Sequence, residues 1–335
     1  MDSFTNFIIN CPRDIENPIK VAVLDDGYDM IENGSEGMES DSGIFFKATD
    51  SCPTYIGHET SAIPRFCARH TMAPYSSETG HGTLMVQCIQ KLCPKARLYV
   101  AKLSNVYGNG GAGPDPSSAA KAILWAVKRK VDIISMSWSI QTTPSTESKT
   151  SRGEQELKDA IEDARKANIL MFAASSDEGN NGATEPVIYP ASATGVFCIV
   201  AADKHGQLGS TVGAERNEKY TYAFPRELVE DGKFGGSSVA TALAAGFTAL
   251  ILHSASVSGY ATSDSLELLR KYENMNKVLE GMVHGNTRYV GVKYKIPEYV
   301  CNGDWDTEGK SQLKKLLTKI LGWVSNYFYV LTTLY

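Results

Sequence analysis

Short apolar runs alternate along the chain with stretches whose apolar residues recur at helical spacing. The runs are VAVL (21–24), RLYVAKL (97–103), VDIISMS (131–137), ILMFAAS (169–175) and FCIVAA (197–202). Near-continuous β-branched and aliphatic runs of this kind are strands covered on both faces. Between them lie HGTLMVQCIQKL from His81, SSAAKAILWAVKRK from Ser117 and GEQELKDAIEDARKAN from Gly153, each with a 3.6-residue apolar period. Strands alternating with helices predict an α/β fold: a doubly wound, mostly parallel sheet flanked by helices and joined by right-handed crossovers.

Two regions interrupt this rhythm. Residues 27–80 scatter Gly, Ser, Pro and Thr through a segment of weak periodicity, which reads as long loops over the sheet. Beyond about Ser254 the pattern fades; SDSLELLRKYENMNKVLEGM (263–282) reads as one or two closing helices, and residues 283–306 look irregular. From Lys310, KSQLKKLLTKILGWV is amphipathic, suited to a terminal helix packed on the domain or on a neighbour, with a membrane-surface anchor as the alternative.

Composition narrows the class. A hydrophobic share of 42% and a charged share of 21% are those of a folded globular chain and argue against disorder. The formal net charge of -5, with no Lys/Arg stripe, gives no footprint for nucleic acid. The first twenty residues carry Asp2 and lack both a basic start and an apolar core of signal-peptide length, so secretion by that route is not expected. The seven cysteines (11, 52, 67, 88, 93, 198 and 301) form no CxxC pair and suit reduced thiols in a cytoplasmic protein. The apolar tail after Leu321 is broken by Ser325 and Asn326 and is short for a bilayer, so no membrane is expected as a partner.

Three motifs carry candidate chemistry. In VAVLDDGYD a buried strand ends at Asp25, where open α/β sheets collect functional side chains; an acid closing a strand is also a common loop cap, and Asp26 beside it adds ambiguity. In TGHGTLMV, His81 opens a helix between Gly80 and Gly82, which allow another backbone to come close. In FGGSSVATALAAGFTALIL, Ser237 is the expected N-cap and Ser238 lies in the first turn of an apolar, small-residue helix. The free N–H groups and positive dipole end of such a helix suit an oxyanion.

These motifs resemble those of the subtilase family of serine peptidases, whose signatures read VAVIDSG, HGTH and GTSMASP. Here they read VAVLDDG, HGTL and GSSVATA in the same Asp, His, Ser order. ARLYVAKL, ILWAVKRKVDIISMSWS and YPASATGVFCIVAADKHG resemble the linking segments. The resemblance implies a subtilisin-like peptidase domain over residues 17–285, with an N-terminal extension (1–16) and a C-terminal extension (286–335). It also implies an Asp25, His81, Ser238 triad that hydrolyses peptide bonds in protein or peptide substrates. Substrate would pair as a strand between Ser137-Trp138-Ser139 and the glycine run at Gly108, Gly110 and Gly111. Trp138 suits either the wall of a specificity pocket or the core. The same run, GNGGAG, matches a dinucleotide fingerprint by pattern, but SNVY and PDPSS separate it from strand and helix, so nucleotide binding is not expected.

Several positions depart from the family. Where the family carries an Asn that donates to the oxyanion, this chain has Asp177, preceded by Ser176 instead of Gly. An ionised carboxylate there cannot donate and would repel the developing negative charge, unless Asp177 is protonated or turned away. Leu84 replaces the second His of HGTH, and Thr241-Ala242 replaces Ser-Pro. No cofactor is assigned, and no calcium loop of the family matches residue by residue. Only 24 residues precede Asp25, whereas secreted members of the family fold with an N-terminal inhibitory domain; the resemblance then implies an intracellular form, a mature fragment or one module of a longer protein, with fused or associated regulatory domains expected. The alternative function is a catalytically weak or inactive relative that keeps the cleft as a peptide-binding or regulatory surface.

Overall fold

A computed structural model of the chain describes residues 18–29, 45–48, 76–108, 111–142, 151–175, 187–203, 205–208, 221–226, 235–257, 263–284, 288–290, 311 and 315. The strands are β1 (Lys20–Asp25), β2 (Phe45–Ala48), β3 (Arg97–Lys102), β4 (Asn105–Gly108), β5 (Gly111–Pro114), β6 (Ile133–Met136), β7 (Ile140–Thr142), β8 (Leu170–Ala174), β9 (Val187–Tyr189), β10 (Val196–Ala202), β11 (Thr221–Pro225), β12 (Val283–His284) and β13 (Tyr289–Val290). The helices are α1 (His81–Leu92), α2 (Pro116–Lys128), α3 (Arg152–Lys166), α4 (Ser237–Val257), α5 (Ser263–Leu269) and α6 (Tyr272–Gly281).

Nine strands form one sheet in the order β12-β13-β11-β10-β8-β6-β1-β3-β2. Its neighbours run parallel, apart from the antiparallel β12–β13 pair at one edge. The five expected strands supply its centre. The short strands β2, at one edge, and β11, between β10 and β13, were not legible as runs, and FFKA and TYAFP are too brief to show a period.

Alternation along each strand divides the core in two. Val21, Val23, Phe172 and Phe197 pack with Met85 and Ile89 of α1, Leu250 of α4 and Leu279 of α6. Ala22, Leu24, Ile134 and Met171 face the other way, onto Ile123 of α2 and Ile161 of α3. α2 and α3 are started by local chemistry. Asp115 accepts the Ser118 N–H ahead of Pro116, and Ser151 and Glu154 form a reciprocal capping box.

One crossover departs from the uniform handedness expected. The steps β2 to β3, β3 to β6 and β6 to β8 all advance in the same direction across the sheet. The helices of the last two, α2 and α3, cover one face, whereas α1, which makes the first step, covers the other. The β2–α1–β3 connection therefore has the opposite hand. This puts the N-terminus of α1 on the same face as α4, the helix that carries Ser238.

α4 is long and apolar enough to span a bilayer by composition, but 89% of its apolar window is buried inside the fold. Residues 263–282 form two helices, within the expectation. The extension at 1–16, the stretch from Lys310 apart from residues 311 and 315, and most of residues 27–80 lie outside the described residues.

Candidate active site

Asp25 is the last residue of β1. By strand alternation its side chain follows Val21 and Val23 toward the face of α1 and α4. It is 5% exposed, and its Oδ1 accepts the Asp26 N–H at 2.9 Å and lies 2.8 Å from His81 Nδ1. Asp25 Oδ2 is buried with no hydrogen-bond partner among the described residues. His81 is the first residue of α1. Burial opposes its protonation, but the charge and hydrogen bond of Asp25, aided by Asp26, outweigh that and raise its pKa above the ordinary value.

α1 approaches β1 this closely because of Gly82. A β-carbon there would strike the Gly27 carbonyl oxygen and stand 2.8 Å from Asp26 Oδ1. Gly80 precedes the helix with a φ of 83°, a left-handed conformation that suits glycine. Gly82 thus does what the flanking glycines suggested, and Gly80 instead supplies the left-handed step into the helix.

Ser238 is the second residue of α4, and the start of that helix is tied to two strand ends. Ser238 Oγ donates to the Ser137 carbonyl at 2.9 Å, and Ser137 Oγ donates back to the Ser238 carbonyl at 3.0 Å. Ser237 Oγ donates to the Ser175 carbonyl at 2.8 Å, just past β8. Ser237 is the first helical residue, not a cap outside the helix. Val23 pairs with Ser135 across β1 and β6, and carrying that register two residues further brings Asp25 level with Ser137. Asp25 and the Ser137–Ser238 contact therefore lie at adjacent strand ends, the crevice where parallel sheets place ligands.

Trp138 is half-buried against the α2/α3 side of the core, and its indole N–H donates to the Leu24 carbonyl at 2.7 Å. This contact gives Trp138 a structural role at the strand end. Gly108 pairs with Gly111 in the antiparallel β4–β5 hairpin, and Ser139 follows Trp138 before β7. Gly110 and Asp177 lie outside the described residues.

Sequence reasoning missed the roles of Asp26, Ser77 and Thr79. Asp26 accepts from Ser77 Oγ (2.6 Å), Thr79 N–H (2.9 Å), Thr79 Oγ1 (2.8 Å) and Gly82 N–H (2.8 Å). The doubled acid in VAVLDDG was the available signal. Among the described residues no group of three or more His, Cys, Asp or Glu side chains is placed to hold a metal.

A family model described as the subtilase family matches residues 16–270. A subtilisin-like protease, het-Q2 of Podospora anserina, is 32% identical over 186 residues, 52% of this chain and 48% of that protein. Subtilisin NAT of Bacillus subtilis subsp. natto is 29% identical over 193 residues, covering 53% and 47% respectively. The chain thus spans about half the length of these curated relatives. Among solved structures, the prenylagaramide maturation protease PagA aligns with a TM-score of 0.58 at 17% identity, covering 96% of this chain and 99% of that one. The nisin leader peptidase NisP from Lactococcus lactis aligns with a TM-score of 0.59 at 13% identity, covering 89% and 87%. At these identities the two structures speak to the fold, which is the same α/β architecture.

Proposed function

The chain belongs to the subtilase family, and from that premise we propose that it is a serine endopeptidase in which Asp25, His81 and Ser238 form the triad. The observation that carries the reading is the His81 Nδ1 to Asp25 Oδ1 contact of 2.8 Å at the head of α1. In this mechanism His81 takes the Ser238 proton through Nε2 as the hydroxyl attacks a peptide carbonyl, and then gives it to the leaving amine. Asp25 holds the imidazole in the Nδ1–H tautomer and stabilises its protonated form. Ser238 exchanges its hydrogen bond to the Ser137 carbonyl for one to His81. The first-turn N–H groups of α4 point their partial positive charge at the oxyanion.

Asp177 stands in sequence register with the family's oxyanion-donating Asn, and in the proposed site it donates as a protonated acid. Losing such a donor costs roughly 100- to 1,000-fold in turnover. Asp177→Asn therefore speeds turnover where Asp177 is ionised and flattens the acid preference; an unchanged rate and pH profile defeats this role. Substrate pairs with residues 137–139 and with the glycine hairpin at Gly108, Gly110 and Gly111. Action on cytoplasmic proteins or peptides, under fused or associated regulatory domains, is part of the same proposal; the free, buried thiols of Cys88 and Cys93 suit a reducing compartment.

The competing reading is a peptide-binding relative without turnover, favoured by Asp177. A fluorophosphonate probe separates the two across roughly pH 5 to 8, where histidine changes charge. Labelling of the wild type and not of Ser238→Ala supports the peptidase. Absence of labelling throughout that range overturns it.

A further inference from the structure

α1 has no cap of its own. The residue before it is Gly80, which has no side chain to accept from the first-turn N–H groups. The acceptors come from elsewhere. Gly82 N–H donates to Asp26 Oδ1 at 2.8 Å, from the turn after β1, and His81 N–H donates to Thr79 Oγ1 at 3.2 Å. Thr79 is itself held by Asp26: its N–H and its hydroxyl both donate to Asp26 Oδ2. Asp26 Oδ1 also accepts from Ser77 Oγ, and Ser77 Oγ accepts the Gly80 N–H at 2.9 Å. One carboxylate thus organises residues 77–82, the whole approach to the helix.

We propose that Asp26 is a positioning residue for His81, a cap supplied by the neighbouring strand end that fixes the imidazole against Asp25. The proposal rests on the peptidase reading above. Asp25 grips the His81 ring and Asp26 grips the His81 backbone frame. Because the two acids are adjacent in the chain, the ring and its helix are referred to a single dipeptide. With both oxygens engaged by four donors, Asp26 serves this frame and not a substrate cation.

Its charge matters as well as its geometry. A carboxylate at a helix N-terminus is favoured by the macrodipole. Burial pushes the Asp26 pKa up, but the hydrogen bonds from Ser77, Thr79 and Gly82 outweigh this and keep it below the ordinary carboxylate value. Around His81 the acids are Asp25 and Asp26 from the β1 end. Further out, Asp29 accepts the Ser77 N–H, and Lys102 at the end of β3 pairs with Glu78 at 3.5 Å. The adjoining start of α4 brings uncharged Ser237 and Ser238.

The test uses the full chain with two variants. Asp26→Asn removes the charge and one acceptor, and Thr79→Val removes the hydroxyl link on the exposed side while keeping Asp25, Asp26 and His81 themselves unchanged. His81 is titrated by NMR of 13C-histidine-labelled protein in a Ser238→Ala background, which reports its geometry and charge whether or not the protein is a peptidase. The rate of fluorophosphonate labelling is measured with Ser238 present. The proposal expects the His81 pKa to fall and its downfield Nδ1–H signal to broaden in Asp26→Asn, with labelling slowed about 10- to 100-fold per folded molecule, the scale of an ångström-sized misplacement. Thr79→Val should show the same changes, but smaller. If folded Asp26→Asn leaves the titration and the Nδ1–H signal unchanged, or slows labelling only in proportion to lost folded protein, the proposal is overturned. If Asp26→Asn does not fold, the same readings on Thr79→Val decide. If the wild type never labels, the peptidase reading fails, and the His81 titration alone decides for or against Asp26.

Discussion

The indole nitrogen of Trp138 lies 2.7 Å from the carbonyl oxygen of Leu24, the residue immediately before Asp25. β6 has ended by this point, so the side chain supplies the lateral hydrogen bond that a longer strand would have provided. Trp138→Phe keeps an aromatic ring but leaves a strand-end carbonyl without its donor. A loss of about 1–3 kcal/mol is expected for an unsatisfied buried group, read as a lower chemical-denaturation midpoint. Because the carbonyl adjoins Asp25, labelling of Ser238 should slow as well, whereas a Trp serving only as a pocket wall would change peptide selectivity and leave stability almost untouched.

Two glycines at close approaches separate effects on the site from effects on packing. Gly82→Ala drives a methyl into the Gly27 carbonyl, and Gly246→Ala places one 3.0 Å from the Ile89 Cα where α1 and α4 cross. Overpacking of either kind costs typically about 1–3 kcal/mol. At matched fractions folded, Gly82→Ala should lose reactivity at Ser238 and Gly246→Ala should retain it. Thermal unfolding paired with probe labelling makes the comparison.

His253, buried in α4 with neither ring nitrogen hydrogen-bonded among the described residues, predicts an acid weakness. Burial, with a contribution from the Lys95 charge, pushes its pKa down to about 4. The unfolded chain takes up this proton near the ordinary value of about 6.5. Stability is therefore fully present above about 6.5 and declines as pH falls toward about 4, by up to about 3 kcal/mol if this group acts alone. In His253→Leu the melting temperature should depend less on pH across that window; an equally steep dependence would assign the acid weakness to other groups.

His81 has the opposite sign. Its folded pKa is raised by Asp25, so its contribution to stability is full below the unfolded value and is lost as pH rises through the folded one. In the proposed mechanism the neutral ring is the base. The labelling rate should climb with pH through a midpoint above the ordinary histidine value, and Asp25→Asn should move that midpoint down while lowering the plateau. A midpoint that stays in place would separate the contact from the titration.

Those signs depend on contacts that the sequence exposes unevenly. The central strands were legible because each is a dense apolar run, and the helices because Met85 and Ile89, or Leu157 and Ile161, sit four residues apart. Asp25, His81 and Ser238 stood out because each ends or begins such an element. The reversed hand of the β2–α1–β3 connection was not legible, since the apolar period of α1 says which stripe is buried and not which face of the sheet buries it. The reciprocal Ser137–Ser238 bonds join residues 101 positions apart, and no local pattern encodes such a pair. Asp26 was visible as a letter but not as a cap, because its donors lie in a stretch without periodicity.

Asp25, His81 and Ser238 enter the fold at very different times as the chain is made. The ribosome releases the strand bearing Asp25 first, the helix bearing His81 next, and α4 with Ser238 only after most of the sheet has been synthesised. On the proposed roles, a nascent chain therefore holds a base and its orienting acid long before it holds a hydroxyl for them to activate. In the proposed peptidase, translation order itself postpones cleavage of neighbouring chains until the domain is nearly whole.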